Sequence, residues 1–457
     1  MQERHDLPSL KVNTDLLRFP LTTPLWFWIA ISLLGIVLGA GLVTFFLMLV
    51  NGLAILGYHN VSMWAILITN FVFWIGISHA GVMISAILRL TQAEWRRPVT
   101  RAAEVLTVFS LATAMIFPLI HTGRPWRTLY WPFPYDFTRG LFPDVRSALV
   151  WDPSAIFTYL TSSSLFVYVA LIPDMAVARD RSTGWQRAFY SFLAMGFHGT
   201  SRQWRLQAIA GILLSALILP VFVSVHSIVS WDFAMTLLPG WHSTVFPPYF
   251  VIGAVHSGVS AVATLMAILR FAFHLEDYIT PDHFDALGRL LVVVSTTWLF
   301  FFLMDFYFGI YSREAMEVAV WELRIFTYPY NILFPIFLIT AYIIPISFWL
   351  FRRFRRNIAI MFWTSICVNV GMWMERYILI VPAVSWKQTF PFVWVTEYQP
   401  QPYEWILVAA SFALVTTGLL VFSKFFPIIP LFDIKEGQVL KAEVQVGRVR
   451  VPAVIRE

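Results

Sequence analysis

Long apolar stretches separated by short polar ones run through the chain from one end to the other. Ten of them are close to or above the roughly 20 residues that a helix needs to cross a hydrocarbon layer. The pattern therefore predicts an all-α polytopic membrane protein with about ten transmembrane helices. In chain order, the predicted spans are 26–50, 64–90, 102–121, 154–178, 206–230, 248–272, 288–310, 329–351, 358–381 and 403–426.

Composition supports this fold class. Of 457 residues, 58% are hydrophobic and only 13% are charged, a balance that excludes an ordinary soluble domain. In a soluble protein a net charge of +6 would suggest nucleic-acid binding. Here it is explained by basic residues that orient the chain in the membrane, and we predict no nucleic-acid role. The single cysteine, Cys367, lies in an apolar stretch, so the chain can form neither an internal disulfide nor an iron–sulfur site.

The distribution of basic residues predicts the orientation. Counted over alternate loops and helix ends, 24 Lys and Arg fall on the side of the two termini and 8 on the other side. By the positive-inside rule both termini are cytoplasmic, in the inner membrane of a bacterium, and we expect the N-terminal segment to stay uncleaved. The connections after the third and fifth spans then lie on the outer side.

An internal repeat suggests how the spans are grouped. Residues 75–82 (IGISHAGV) and 252–259 (IGAVHSGV) agree at five of eight positions, including the histidine. A duplication would make spans 2–5 and spans 6–9 two four-helix bundles of the same orientation. The predicted segments are a cytoplasmic N-terminus (1–25), the first span and an outer loop (26–63), the first bundle with the candidate site (64–230), an outer loop (231–247), the second bundle (248–381), an outer loop with the last span (382–426) and a cytoplasmic tail (427–457).

Several ionisable residues lie inside predicted spans. Each costs about 2.5 to 3.5 kcal/mol on insertion scales, so each is a functional candidate, although a structural hydrogen bond or ion pair would also explain it. We assign His79 to the lining of a pocket. The candidates for a proton path are His226, His256, Asp305, Glu375 and Arg376.

The predicted outer loop between the third and fourth spans is dense in aromatic residues, Arg and Pro. It begins near His121 and ends near Asp152, and it includes Arg124 and Trp126. Ionisable groups at the ends of two spans could meet beside the membrane, where a quinone headgroup could dock. Arg124 at the mouth of this pocket and Trp126 against the ring would then be quinol contacts. An ordinary interfacial loop with an aromatic belt is the alternative. The next outer connection adds Asp232.

The motifs HTGRPW, RSALVWD and WDFAMTLLPGWHSTVFPPYF together resemble the ActC subunit of bacterial alternative complex III, which belongs to the wider family of NrfD- and PsrC-like membrane subunits. The resemblance runs from about Leu16 to Phe426. It implies two four-helix bundles, no haem or iron–sulfur cluster in this chain, and menaquinol oxidation on the outer side. The implied partners are an iron–sulfur subunit, haem c subunits and a second NrfD-like membrane subunit.

Carried over onto matching positions, the resemblance implies that His121 and Asp152 bind the quinol headgroup and accept its protons. Asp232 would be a further member of the site or of its proton exit. The sequence thus predicts a quinol-binding subunit of an oxidoreductase complex with no redox centre of its own. Two other classes stay open: an ion-translocating or transporter subunit without a quinone site, and a di-haem cytochrome that uses buried histidines as axial ligands.

Overall fold

The computed structural model describes residues 9–58, 64–123, 148–385, 398–439, 443–446 and 449–452. Two π-helical segments, Met83–Ile87 and Ile339–Ile343, join α3 to α4 and α12 to α13. The helices are α1 Ser9–Leu21, α2 Leu25–Asn51, α3 Ala65–Val82, α4 Leu88–Leu90, α5 Thr100–His121, α6 Ala148–Arg181, α7 Gly184–Leu193, α8 Ser201–Ala234, α9 Phe246–Ala272, α10 Pro281–Tyr311, α11 Ala315–Phe326, α12 Tyr330–Leu338, α13 Ile344–Trp349, α14 Arg352–Arg355, α15 Ile358–Ser385, α16 Pro402–Phe425 and α17 Leu431–Val439.

Ten helical segments of the described chain are long and apolar enough to cross a membrane, so the predicted all-α, ten-span fold class is confirmed. The tail adds one antiparallel hairpin of β1 (Glu443–Val446) and β2 (Val449–Pro452). The largest differences are at helix ends. α6, α8 and α10 begin five to seven residues before their predicted spans, and α8 also ends four residues later, because each helix continues beyond the apolar stretch that marks its span. Asp152 and Asp232 therefore lie in helices rather than in loops.

Capping residues mark where several helices begin. At the start of α8, Thr200 Oγ1 accepts a hydrogen bond from the Gln203 backbone N–H at 3.3 Å, and the Gln203 side chain bonds back to the Thr200 backbone N–H. This reciprocal arrangement is a capping box, which satisfies two donors that a helix start leaves free. Proline stands in the first turn of α9, α10 and α16, where its missing N–H costs nothing.

α3 lies at the centre of the bundle. In the segment that contains α3, 88% of the residues of the most apolar window are buried. In α2 the share is 17%, so most of α2 lies at the surface of the chain. α3 packs on α5 and α8, and α6 closes this group by contacting both of those helices. On its other side α3 packs on α9 and α15; α10 contacts both of these, and α12 contacts α15.

The two helices that carry the internal repeat cross at small residues. A Cβ atom added at Gly258 of α9 would lie 2.8 Å from the backbone nitrogen of Ala80 in α3. A Cβ at Gly76 of α3 would lie 3.3 Å from Ser257 Oγ in α9. The absence of side chains at these two glycines is what lets the α3 and α9 backbones approach so closely.

Gly258→Ala is expected to lower the melting temperature of the purified protein, because the added Cβ meets backbone atoms that cannot rotate away. Overpacking of this kind typically costs about 1–3 kcal/mol. Gly35→Ala is the matched control, since a Cβ at Gly35 would meet nothing within 4 Å. Equal melting shifts in the two variants, measured in detergent, would show that the α3–α9 crossing is not tightly packed.

The tail helix α17 is held against the first group of helices by charged residues. The carboxylate of Asp174 in α6 accepts the backbone N–H groups of Leu431 and Phe432 at the start of α17, at 3.3 and 3.2 Å. Asp174 also pairs with Arg101 of α5 at 3.1 Å, and both side chains are buried. The sequence places Asp174 close to an Arg-rich loop, which predicts a surface or interfacial pair; the structure shows that its pair with Arg101 is buried.

Candidate functional site

Most of the candidate residues are near one face of the bundle. α5 ends on this face at His121, α6 begins on it, α8 ends on it at Ala234 and α9 begins on it at Phe246. We call it the Asp152 face. The distribution of Lys and Arg predicts that it is the outer side.

Two carboxyl groups come together at the Asp152 face. Asp152 lies near the start of α6 and Asp232 near the end of α8, and the two are close enough to interact electrostatically. The neighbouring rings of Trp151 and Trp231 meet edge to face with centroids 6.0 Å apart. Among the described residues, one buried carboxyl oxygen of each aspartate has no hydrogen-bond partner. The structure thus brings two of the predicted site residues together. Within the described chain, each keeps one carboxyl oxygen that can accept a hydrogen bond from a ligand.

His121 reaches the same face by a different set of contacts. Its ring stacks on Trp64 with centroids 5.5 Å apart, and its backbone oxygen accepts the Trp64 indole N–H at 3.1 Å. Phe71 and Phe117 contact the remaining sides of the ring. His121 Nε2 is buried and has no partner within the described ranges. His121 is therefore held by α3 and α5, whereas Asp152 is held by α6 and α8.

Residues 124–147, which the sequence predicts to be an outer loop between His121 and Asp152, lie outside the described residues. The predicted quinol contacts Arg124 and Trp126 belong to this loop, so their positions remain predictions. The described part of the site consists of His121, Asp152 and Asp232, with the aromatic rings that surround them.

A pair of buried histidines lies deeper in the bundle. The rings of His79 in α3 and His226 in α8 are 4.5 Å apart, and both side chains are fully buried. The two ring nitrogens of His79 lie 2.7 Å from the Ile75 carbonyl oxygen and 3.0 Å from that of Phe222. His226 is six residues before Asp232 on α8, a rise of about 9 Å. The structure thus groups His79 with a proton-path candidate, deeper than the aspartates.

Next to the histidines is a buried ion pair on α15. Arg376 Nη1 is 3.3 Å from Glu375 Oε2, and both side chains are almost fully buried. The guanidinium lies over the Phe250 ring, 4.5 Å from its centroid, and Phe250 also contacts His226 with ring centroids 6.0 Å apart. The hydroxyl of Tyr249 donates a hydrogen bond to Glu375. The predicted candidates on α8 and α15 are therefore joined through residues of α9.

Asp305, the candidate on α10, accepts a hydrogen bond from Ser243 Oγ at 2.7 Å. Ser243 belongs to the connection between α8 and α9, which covers this end of the second group of helices. The sequence shows no basic residue beside Asp305 in its own span. The structure supplies one from elsewhere, because Arg324 of α11 interacts with it electrostatically.

Arg324 and Glu317 are not among the residues that the sequence predicts for the site. Arg324 is 1% exposed and donates hydrogen bonds to the carbonyl oxygens of Gly240 and Leu379 at 2.9 and 3.0 Å. Burial lowers its pKa. Both Glu317 carboxylate oxygens lie 2.9 Å from the Gly240 N–H, and partial burial raises the pKa of Glu317. The sequence feature that could have indicated a buried arginine is the position of Arg324 on the apolar face of the helical segment AMEVAVWELRIF. This segment lies outside every predicted span.

His256, the repeat counterpart of His79, has different surroundings. Its ring packs on Trp298 with centroids 5.6 Å apart. Within the described chain, neither of its ring nitrogens has a hydrogen-bond partner. His79 contacts His226, whereas His256 contacts the indole ring of Trp298. The contacts therefore do not indicate a common role for the two histidines of the repeat.

These contacts define the chemistry that the site can support. Carboxyl and imidazole groups lie at the Asp152 face and continue inward, so protons could be accepted and passed on. Within the described ranges, no three His, Cys, Asp or Glu side chains form a group suited to a metal ion. Both nitrogens of His79 already face carbonyl oxygens, an arrangement that does not suit an axial haem ligand.

Comparison with known proteins shows which family the chain belongs to. The family model described as "Polysulphide reductase, NrfD" matches residues 55–386. A putative membrane subunit of dimethyl sulfoxide reductase from Halobacterium salinarum is 25% identical over 266 residues, which cover 58% of this chain and 56% of that protein. A selenate reductase subunit of Mesobacillus selenatarsenatis is 21% identical over 428 residues, 88% of this chain and 94% of that protein. With ten candidate spans and a family match over most of its length, the chain is a multi-pass membrane protein that belongs to the NrfD family.

Proposed function

We propose that this chain is the quinol-binding, proton-handling membrane subunit of an oxidoreductase complex. It oxidises menaquinol at the Asp152 face and passes the electrons to an iron–sulfur partner subunit. The two relatives are named as subunits of reductases, which supports membership of a redox complex. The outer-loop motifs narrow the proposal to alternative complex III, with haem c subunits and a second NrfD-like membrane subunit as further partners.

The observation that carries the proposal is the pair formed by Asp152 and Asp232. Each has a buried carboxyl oxygen with no partner among the described residues, at the end of the bundle where two helices meet. Leaving such an oxygen unsatisfied costs about 1–3 kcal/mol, so a ligand that donates hydrogen bonds would be favoured there. A quinol headgroup offers two hydroxyl donors.

The reaction balances with these groups. Oxidation of a quinol to a quinone releases two electrons and two protons, and the electrons leave for the iron–sulfur partner. The imidazole of His121 can take one proton at its unpartnered Nε2, and the carboxyl pair can take the other. The ring of Trp64 covers one face of the His121 imidazole, where it would keep bulk water away from the headgroup.

The deeper residues supply a path for protons away from the headgroup. His226 and His79 are in ring contact, and Phe250 separates them from Arg376 and Glu375. Any transfer between the two groups would therefore need a water molecule or a side-chain rotation. In this proposal Asp305 lies on a second branch, and His256 lines the path without a contact that fixes its role.

Replacement of His121 tests the proposed site. We expect His121→Ala to lower quinol-dependent reduction of the haem c partner by about 100-fold, the lower bound for loss of a general base. The assay uses the purified complex and a short-chain menaquinol at equal assembly. His198→Ala is the control, because His198 is exposed at the opposite end of the bundle. Full activity of His121→Ala would remove His121 from the site, and activity that needs no quinol would favour the ion-translocating alternative.

A further inference from the structure

A cavity lies at the end of the bundle opposite the Asp152 face. It is bounded by α1, by the start of α2, and by the ends of α9 and α16, and its volume is about 560 Å³. That size falls within the range of about 300–1,000 Å³ typical of sites for small molecules. We call it the α1 cavity. Nothing in the proposed quinol chemistry uses it.

The wall of the α1 cavity contains one basic and one acidic residue, and a second basic residue stands beside the cavity. Arg18 lines it, and within the described ranges no carboxylate pairs with Arg18. Lys424 stands beside it, and among the described residues it donates hydrogen bonds to the carbonyl oxygens of Phe19 and Pro20, at 3.3 and 3.0 Å. The one acidic residue in the wall, Asp15, already accepts a hydrogen bond from Tyr278 at 3.0 Å.

The N-terminus of α2 adds to the positive electrostatic potential that Arg18 and Lys424 produce. Pro24, the residue before α2, is extended and provides no side-chain cap. The 27-residue helix α2 therefore begins at the cavity wall without a side-chain cap, and its first turn carries the positive end of the helix dipole. Together with Arg18 and Lys424 it favours an anion with several acceptor oxygens.

The rim of the cavity is apolar and faces lipid. Phe19, Trp26 and Phe273 form one wall, with Phe19 stacked on Trp26 at 5.6 Å and meeting Phe273 at 4.5 Å. Leu25 and Phe271 beside them are 75% and 83% exposed. An amphipathic ring such as that of Trp26 is typical of the headgroup level of a bilayer.

We propose that the α1 cavity binds the phosphate headgroup of an anionic phospholipid from the leaflet on that side, with its acyl chains along the exposed ends of α2 and α9. The charges recognise the phosphate, and the aromatic wall contacts the glycerol and the first methylene groups. The bound lipid would tie α1 to the ends of three spans.

Native mass spectrometry of the full-length protein, titrated in detergent with dioleoyl phosphatidylglycerol, tests this proposal. Each basic residue near a membrane surface contributes about fivefold to binding of anionic lipid. We therefore expect Arg18→Gln with Lys424→Gln to weaken binding of the first lipid by about 25-fold. Arg352→Gln with Arg353→Gln is the matched control, because these two arginines are exposed on the same side and do not line the cavity.

Three results would overturn the proposal. The first is equal lipid affinity in the double variant and the wild type. The second is equal binding of dioleoyl phosphatidylcholine, which has no net charge. The third is displacement of the lipid by millimolar inorganic phosphate, which would assign the cavity to a soluble anion. A brominated phosphatidylglycerol that quenches the fluorescence of the wild type more than that of Trp26→Phe would support the position of the lipid independently.

Discussion

Asp152→Asn is expected to lower the quinol oxidation rate of the assembled complex by at least about 100-fold, because an amide has nearly the shape of the carboxyl group but cannot accept a proton. Asp232→Asn is expected to have a smaller effect, since Asp232 is less buried and supports Asp152 from the neighbouring helix. The measurement is menaquinol-dependent reduction of the haem c partner, with complex assembly checked by size-exclusion chromatography.

Asp180→Asn is the control for this experiment. Asp180 is exposed at the opposite end of α6 and pairs only locally with Arg179, so its replacement should leave turnover unchanged. If Asp152→Asn assembles and turns over at the wild-type rate, the pair of aspartates is a packing feature of the Asp152 face. The search for the quinol site would then move to the buried His79 and His226.

Arg376→Met is expected to destabilise the protein by about 3–5 kcal/mol, the largest stability effect that we predict. Arg376 is the near neighbour of the buried carboxylate of Glu375, and its removal would leave that charge unpaired. The double variant Arg376→Met with Glu375→Gln should recover most of the loss, because the glutamine is neutral and can still accept the Tyr249 hydroxyl. Thermal unfolding in detergent measures both effects.

Arg289→Met provides the matched control. Arg289 pairs with Asp285 at 3.6 Å but is 66% exposed, and an exposed pair of this kind contributes about 0–1 kcal/mol. The double variant at Arg376 and Glu375 also separates structure from proton transfer. If it is stable but inactive, the pair has a role in proton handling; if it is stable and fully active, the pair serves packing alone and leaves the proposed path.

The ten spans could be predicted because apolar length is a local property that each helix carries in its own sequence. Helix ends were less accurate, since Trp231 and Asp232 look polar enough for a loop but continue α8 to Ala234. The family followed from the outer-loop motifs. Family membership is confirmed, whereas the assignment to alternative complex III stays a proposal.

The pairing of candidates within the site could not be predicted. His79 and His226 are far apart in sequence, and each could have found a partner on several helices. His79 and His256 occupy equivalent positions of the repeat, so the sequence does not distinguish them. In the structure His79 contacts another histidine, whereas His256 contacts Trp298. Arg324 could not be identified from the sequence, because its buried guanidinium is satisfied by the carbonyl oxygens of Gly240 and Leu379. No sequence pattern predicts these two hydrogen bonds.

The crossing of α3 and α9 bears on the origin of the chain. The repeat counterparts do not make equivalent contacts there. Ala80 meets Gly258, whereas Ser257, the counterpart of Ala80, meets Gly76, and the atoms nearest to Gly81, the counterpart of Gly258, belong to α5. Two identical subunits about an exact twofold axis would make each contact twice, with the two helices exchanged. If the two halves arose by duplication, this crossing has lost that symmetry, so the effect of a substitution at one repeat position does not predict its effect at the other. The histidines show the same divergence, since His79 meets His226 and His256 packs on Trp298.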